Sequence, residues 1–191
     1  AVYFSHEHWL ANFVARNTWL TNVFNDHSKI LVAAANGPVI GLSAALLLLC
    51  DLIYVNDLKK FYILTPFANL GLVTEGATSI TLARRLGWSK ASEALLLAKR
   101  IPGDDCEQNG LINKHFTGES KSTEDFNKAV YELIQDSVDS LHEDSIFGIK
   151  KLMKIGRDPV VNQVNSQEVV KGFNKCCLLY TSDAADDMQC V

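Results

Sequence analysis

The hydrophobic positions of this chain fall into a few distinct patterns, each pointing to one kind of element. After Lys29, the run Ile30–Ala35 has no polar break and is of strand length. That pattern predicts a parallel strand over Lys29–Ala35, covered on both faces. Asn36-Gly37-Pro38 interrupts it, because Pro cannot continue a ladder. After Gly41 the chain reads as a helix with almost no polar face. Such a helix either spans a membrane or fills a core. Ala44–Cys50 is far shorter than the roughly 20 residues a span requires, so this helix is predicted to run through the core.

Elsewhere the period is 3.6 or 2. His6–Phe24 reads as a helix with Trp9, Leu10, Phe13, Val14, Leu20, Val23 and Phe24 on one stripe, and Asn17 falls inside it. Asp51–Val55 and Phe61–Leu64 read as strands around a turn at Asn56-Asp57. Thr78–Leu86 is a helix ended at Gly87, with Ser89 placed to cap the next one. Asp104–Asn109 is a short helix stopped by Gly110, and Leu111–Phe116 is extended. Past a polar linker the chain becomes helical. Ser122 and Asp125 resemble a capping box ahead of a stripe of Phe126, Ala129, Val130, Leu133, Ile134 and Val138. Ile146, Ile149, Leu152 and Met153 mark a second helix ended by Gly156, and Asp158-Pro159 opens a third.

Two positions invite chemistry. The first N–H groups of a helix have no intrahelical partner and sit at the positive end of its dipole. The Leu42 N–H, after Gly41, is therefore a candidate oxyanion donor; the plainer reading is a turn entering a core helix. Between Lys60 and Arg84 the only charged residue is Glu75, among Leu72, Val73, Gly76 and Ala77. A carboxylate in apolar surroundings shifts its pKa upward, which suits a general base near neutral pH. The alternative is a carboxylate in the first turn of the Thr78–Leu86 helix, favoured by the dipole. Asn17, inside an apolar stripe, reads as a structural amide bonded to backbone.

Composition narrows the class. With 191 residues and 48% hydrophobic content, the chain suits one domain with a sizeable core. Its net charge is −4, and Asp183, Asp186 and Asp187 in the last fifteen residues account for most of that. The body is nearly neutral and has no basic stripe, which argues against nucleic acid as a partner. Arg84, Arg85, Lys99 and Arg100 read as solvated surface. The five cysteines (Cys50, Cys106, Cys176, Cys177 and Cys190) show no metal-ligand spacing and predict free thiols in a reducing compartment. His6-x-His8 reads as surface, and no metal site is expected.

Several strings occur together and in order: Asn36–Leu46, Cys50-Asp51-Leu52-Ile53-Tyr54, Pro66–Leu72 with Glu75-Gly76, and Asn109–Lys114. In these the chain resembles the crotonase superfamily, the enoyl-CoA hydratases and isomerases, and within it the fungal peroxisomal Δ3,Δ2-enoyl-CoA isomerases. The likeness runs from about Trp9 to about Lys175. It implies an α/β crotonase-like spiral of ββα units with a C-terminal helical region: residues 1–117 as a partial core, and 118–176 as helices that pack on neighbouring subunits of a homotrimer or hexamer. It also implies isomerisation of 3-enoyl-CoA to trans-2-enoyl-CoA in fatty-acid β-oxidation, with an acyl-CoA substrate and no further cofactor. By the same resemblance Glu75 and Asn17 are catalytic, Leu42 is in the oxyanion hole, and Gly41, Phe67, Leu70 and Gly71 bind substrate.

The departures matter. Hydratases of this family resemble one another in two glutamates, and here those positions hold Ala45 and Phe67. That leaves an unusual hydratase, a dienoyl-CoA isomerase, or a silent acyl-CoA-binding subunit as rivals. The resemblance places a strand and a Gly-containing loop, with the second oxyanion donor, ahead of Ala1, so the chain is expected to be truncated at its front. Residues 177–191 resemble a translated sequencing adapter. A peroxisomal location is implied by resemblance only, since any address at the natural termini would lie outside the chain.

Overall fold

The structure is a computed structural model describing residues 6–117 and 122–181. Two three-stranded sheets carry it. In the first, β1 (Val32–Ala35), β3 (Leu52–Val55) and β6 (Lys114–His115) lie side by side in that order, all parallel. In the second, β2 (Val39–Ile40) runs parallel to β4 (Tyr62–Leu64), and β5 (Ile101–Pro102) pairs antiparallel to β4. A strand of each sheet followed by a helix makes the repeat. β1 and β2 lead into α3 (Leu42–Leu49), and β3 and β4 lead into α4 (Thr78–Leu86) and α5 (Trp88–Leu96). This is the ββα spiral that the family resemblance implies.

The apolar helix is where its pattern requires it to be. Ala44 and Ala45 are fully buried, and Leu47, Leu48 and Leu49 nearly so. The main core gathers these with Ile53, Val55, Phe61, Ile63, Leu82 and Ile101. No described helix is long and apolar enough to cross a membrane. Cys50 and Cys106 are buried free thiols, and burial pushes them up to about 11 and about 12, so both stay protonated. Cys176, Cys177 and Cys190 lie outside the described side chains.

Several expectations are corrected. The strand begins at Val32 rather than Lys29 and is only partly covered, with Ala34 exposed. Among the described residues β1 has a neighbouring strand on one side only, and this leaves part of it open. Ser89 caps nothing. The single residue Gly87, at φ +80°, joins α4 directly to α5, so Ser89 already lies inside the helix. The first helix is interrupted: α1 (His6–Trp9) passes through a π-helical turn, Leu10–Ala15, into α2 (Arg16–Asn25). The buried line of α2 is then the polar series Asn17, Thr21 and Asn25, while Leu10 and Val23 are exposed.

After the short α6 (Gly103–Gln108), the C-terminal helices are α7 (Thr123–Val138), α8 (Glu143–Ile155) and α9 (Asp158–Thr181). Ser122 caps α7 as expected, its Oγ accepting from the Asp125 N–H at 3.0 Å. α8 is turned against its pattern: Ile149, Leu152, Met153 and Ile155 face outward while Lys150 is buried. Lys150 donates to Asp51 Oδ2 at 2.6 Å and to the Lys29 carbonyl. Lys154 and Arg157 donate to the Asn25 carbonyl at 2.6 and 3.0 Å, at the end of α2. Cations are favoured at helix C-termini, and this places the charged face of α8 inward. Arg85 is likewise not solvated; it donates to the Cys50 carbonyl at the end of α3. Helix α9 runs on to Thr181, while 118–121 and 182–191 lie outside the described residues.

Candidate active site

Three elements converge on Glu75. It lies in the loop just ahead of α4, and its backbone carbonyl accepts from the Thr78 N–H at 3.2 Å and from Thr78 Oγ1 at 2.5 Å. Gly76 and Ala77 follow at φ +65° and +59°, two successive left-handed residues that turn the chain sharply into the helix. The side chain therefore points away from the axis of α4. It meets α2, where Asn17 Nδ2 donates to Glu75 Oε2 at 2.5 Å. Asn17 is fully buried, and Thr21 Oγ1 ties its carbonyl at 2.8 Å, one turn along.

The electrostatics follow from this setting. Burial pushes the Glu75 carboxyl above the ordinary glutamate range; the Asn17 amide and the Arg16 charge pull it back, and the Glu168 charge raises it further. Oε1 takes no donor among the described residues, so one lobe of the carboxylate is open to exchange a proton.

The start of α3 lies beside this loop. Gly41, the residue before α3, takes φ +60° and ψ −127°, and its N–H donates to the Leu64 carbonyl at 2.9 Å, which anchors the helix to the end of β4. The Leu42 N–H takes no acceptor among the described residues. A Cβ placed on Gly76 would sit 3.6 Å from Leu42 Cδ1 and 2.6 Å from Ala45 Cβ. Leu42, Ala45 and Glu75 thus belong to one small region. Ala45 is small because the Gly76 backbone lies against it, and a glutamate there would need the space that the Glu75 loop fills.

The other expected substrate residues occupy the turn between β4 and Glu75. Phe67 is buried, Leu70 is 52% exposed, and Gly71 is left-handed at φ +68°. The Leu72 N–H closes this turn on the Phe67 carbonyl at 2.9 Å. A cavity of about 400 Å³ lies elsewhere in the fold, lined by Lys29, Ile30, Ile134, Leu141, Ile146 and Phe147 among others. Among the described residues no three of His, Cys, Asp and Glu gather as metal ligands.

Sequence reasoning missed Glu168 on α9. This carboxylate is 6% exposed and takes the N-terminus of α4. Oε2 accepts from the Ala77 N–H at 2.7 Å. Oε1 accepts from the Ser79 N–H at 3.0 Å, Ser79 Oγ at 2.5 Å and Thr74 Oγ1 at 2.9 Å. The carboxylate that takes the N–H groups at the start of α4 is therefore Glu168 and not Glu75. The one trace in sequence is the spacing Val161, Asn165, Glu168, Gly172, which puts four residues on one face of α9; polar members disguise it as surface.

Glu75 is thus bonded to the buried Asn17 and lies near the start of α3, whose first N–H has no acceptor among the described residues. Residues 12–167 match the enoyl-CoA hydratase/isomerase family. The chain belongs to this family. It is 45% identical to the 3,2-trans-enoyl-CoA isomerase of Saccharomyces cerevisiae over 162 residues, covering 84% of this chain and 57% of that protein. It is also 45% identical to the Delta(3,5)-Delta(2,4)-dienoyl-CoA isomerase of Pyricularia oryzae over 172 residues, covering 87% and 60% respectively. The crystal structure of an enoyl-CoA hydratase/isomerase from Pseudoalteromonas atlantica superposes with a TM-score of 0.71 at 25% identity, over 85% of this chain and 61% of that one. The crotonase fold is thereby shown. The chain spans less than two thirds of each of these proteins.

Proposed function

We propose that the protein isomerises 3-enoyl-CoA to trans-2-enoyl-CoA, with Glu75 as the proton carrier. The observation that carries this reading is the Asn17–Glu75 hydrogen bond at 2.5 Å. It holds one carboxylate oxygen and leaves the other open in partly apolar surroundings. Glu75 takes the C2 proton of the bound thioester. The C–H electrons pass to the carbonyl, and the resulting enolate oxygen is held by the Leu42 N–H. Glu75 then returns the proton at C4 as the double bond settles between C2 and C3. Gly41, Phe67, Leu70 and Gly71 line the acyl path. The only coenzyme this requires is the CoA of the substrate itself.

Ala45 in contact with the Gly76 backbone disfavours water addition, because the hydratase glutamate has no room at that position. The Pyricularia relative favours one second reading, a dienoyl-CoA isomerase, since it matches as closely as the yeast protein. The full-length protein should be given 3-enoyl-CoA, 3,5-dienoyl-CoA and 2-enoyl-CoA separately. Trans-2-enoyl product from the first supports the proposal; hydroxyacyl product from the last as the main outcome overturns it. Glu75→Gln should lower turnover by roughly 10²–10⁴-fold, the usual scale for a positioned general base, and leave thioester binding in place. Near wild-type turnover in that variant would remove Glu75 from the mechanism.

The outward apolar residues of α8 (Ile149, Leu152, Met153 and Ile155) support assembly into a homotrimer or hexamer through this helical region. A peroxisomal location accords with the resemblance.

A further inference from the structure

We infer that Glu168 is a positioning residue for the base: it fixes the loop 74–79 and so sets where the Glu75 carboxylate stands. This rests on the reading of Glu75 as the proton carrier. Four donors from three residues on either side of Glu75 converge on one carboxylate, at 2.5 to 3.0 Å, from Thr74, Ala77 and Ser79. Thr74 precedes the base, and Ala77 and Ser79 follow it, so the loop is gripped on both sides of the reactive residue. Its backbone needs a grip. Ala77 is a non-glycine residue at φ +59°, a conformation that persists only where the surroundings impose it. The α4 N-terminus has no side-chain cap of its own, and Glu168 supplies the anion that its N–H groups and dipole call for.

Helix α9 is seated firmly enough to impose this geometry. Gly172, one turn beyond Glu168, lies so close to the π-helical turn that a Cβ there would come within 2.9 Å of the Phe13 ring. The same Cβ would stand 3.9 Å from Val73 Cγ2, in the loop that carries Glu75. One face of α9 therefore touches both walls of the site, the segment leading to Asn17 and the loop carrying Glu75. The charged groups acting on Glu75 are Arg16 from α2 and Glu168 from α9. Removing the Glu168 charge takes away a repulsion and should let Glu75 ionise at lower pH.

The test is Glu168→Gln in the full-length protein, assayed on 3-enoyl-CoA from pH 5 to 9. The amide keeps an acceptor for Ser79 and Thr74 but turns an NH₂ toward the Ala77 N–H. We expect kcat to fall about 10–100-fold, the scale of a small displacement of a reacting group, with KM changed less than about threefold. The acid limb of kcat/KM should move to lower pH. Thr74→Val/Ser79→Ala removes two donors from the opposite side and leaves Glu168 in place; it should lower kcat about 3–10-fold and serves if Glu168→Gln does not fold. If Glu75→Gln is inactive while Glu168→Gln keeps its kcat and acid limb, or that double variant keeps its kcat, the positioning inference is wrong and the base stands. If Glu75→Gln itself stays active, the base reading fails instead.

Discussion

The contact between Gly76 and Ala45 can be tested as a pair. Gly76→Ala adds one methyl where the structure leaves no room: φ is +65°, and the new Cβ would stand 2.6 Å from Ala45 Cβ. Ala45 is fully buried on α3 and has no rotamer to escape into. A left-handed alanine costs about 1–2 kcal/mol. Forcing a methyl into a packed interior costs about 1–3 kcal/mol more. The single variant should thus lose about 2–5 kcal/mol of stability. Ala45→Gly alone should cost about 1 kcal/mol, for a glycine inside a helix. In the double variant the overlap is gone and only the two backbone penalties remain, about 2–3 kcal/mol. The two sites should therefore couple by about 1–3 kcal/mol, measured by urea unfolding of the three variants. Turnover should track the coupling, falling in Gly76→Ala and partly returning in the double variant, because Glu75 is the next residue. Additivity within about 0.5 kcal/mol would refute the reasoning, since contacting residues that clash cannot act independently.

Two other outcomes follow from the same structure. Because burial raises the Glu75 pKa, the folded protein holds that proton more tightly than the unfolded chain does. Stability contributed by this group is greatest on the acid side and falls as pH rises from the ordinary glutamate value to the raised one. Glu75→Gln should therefore be at least as stable as the parent at pH 8, with its advantage shrinking toward pH 4; a variant less stable at pH 8 by urea unfolding would contradict this. On α8, Leu152→Glu/Met153→Lys should lower the assembled mass seen by light scattering without moving the monomer melting curve, as both residues stand exposed; an unchanged mass would take α8 out of the assembly.

Much of the fold is written along the chain. The apolar run after Lys29, the break at Asn36-Gly37-Pro38 and the all-apolar helix after Gly41 each have one stable solution, and α3 lies in the core as that pattern demands. Helix ends marked by glycine, and the Ser122 cap, were equally readable, because they depend on backbone groups within a few residues. Glu75 stood out as the lone charge in an apolar stretch. Tertiary structure alone decided three things. It turned α8 over, because the carbonyls closing α2 and the Asp51 carboxylate offer Lys150, Lys154 and Arg157 more than solvent does. It buried Asn17, Thr21 and Asn25 instead of the apolar stripe, because a π turn ahead of them rotates the helix. It also brought Glu168 across 91 residues to the Ala77 N–H at the start of α4, so that Glu168 caps the helix while Glu75 faces Asn17. Periodicity records which residues share a face; only the packing of distant elements decides what that face meets.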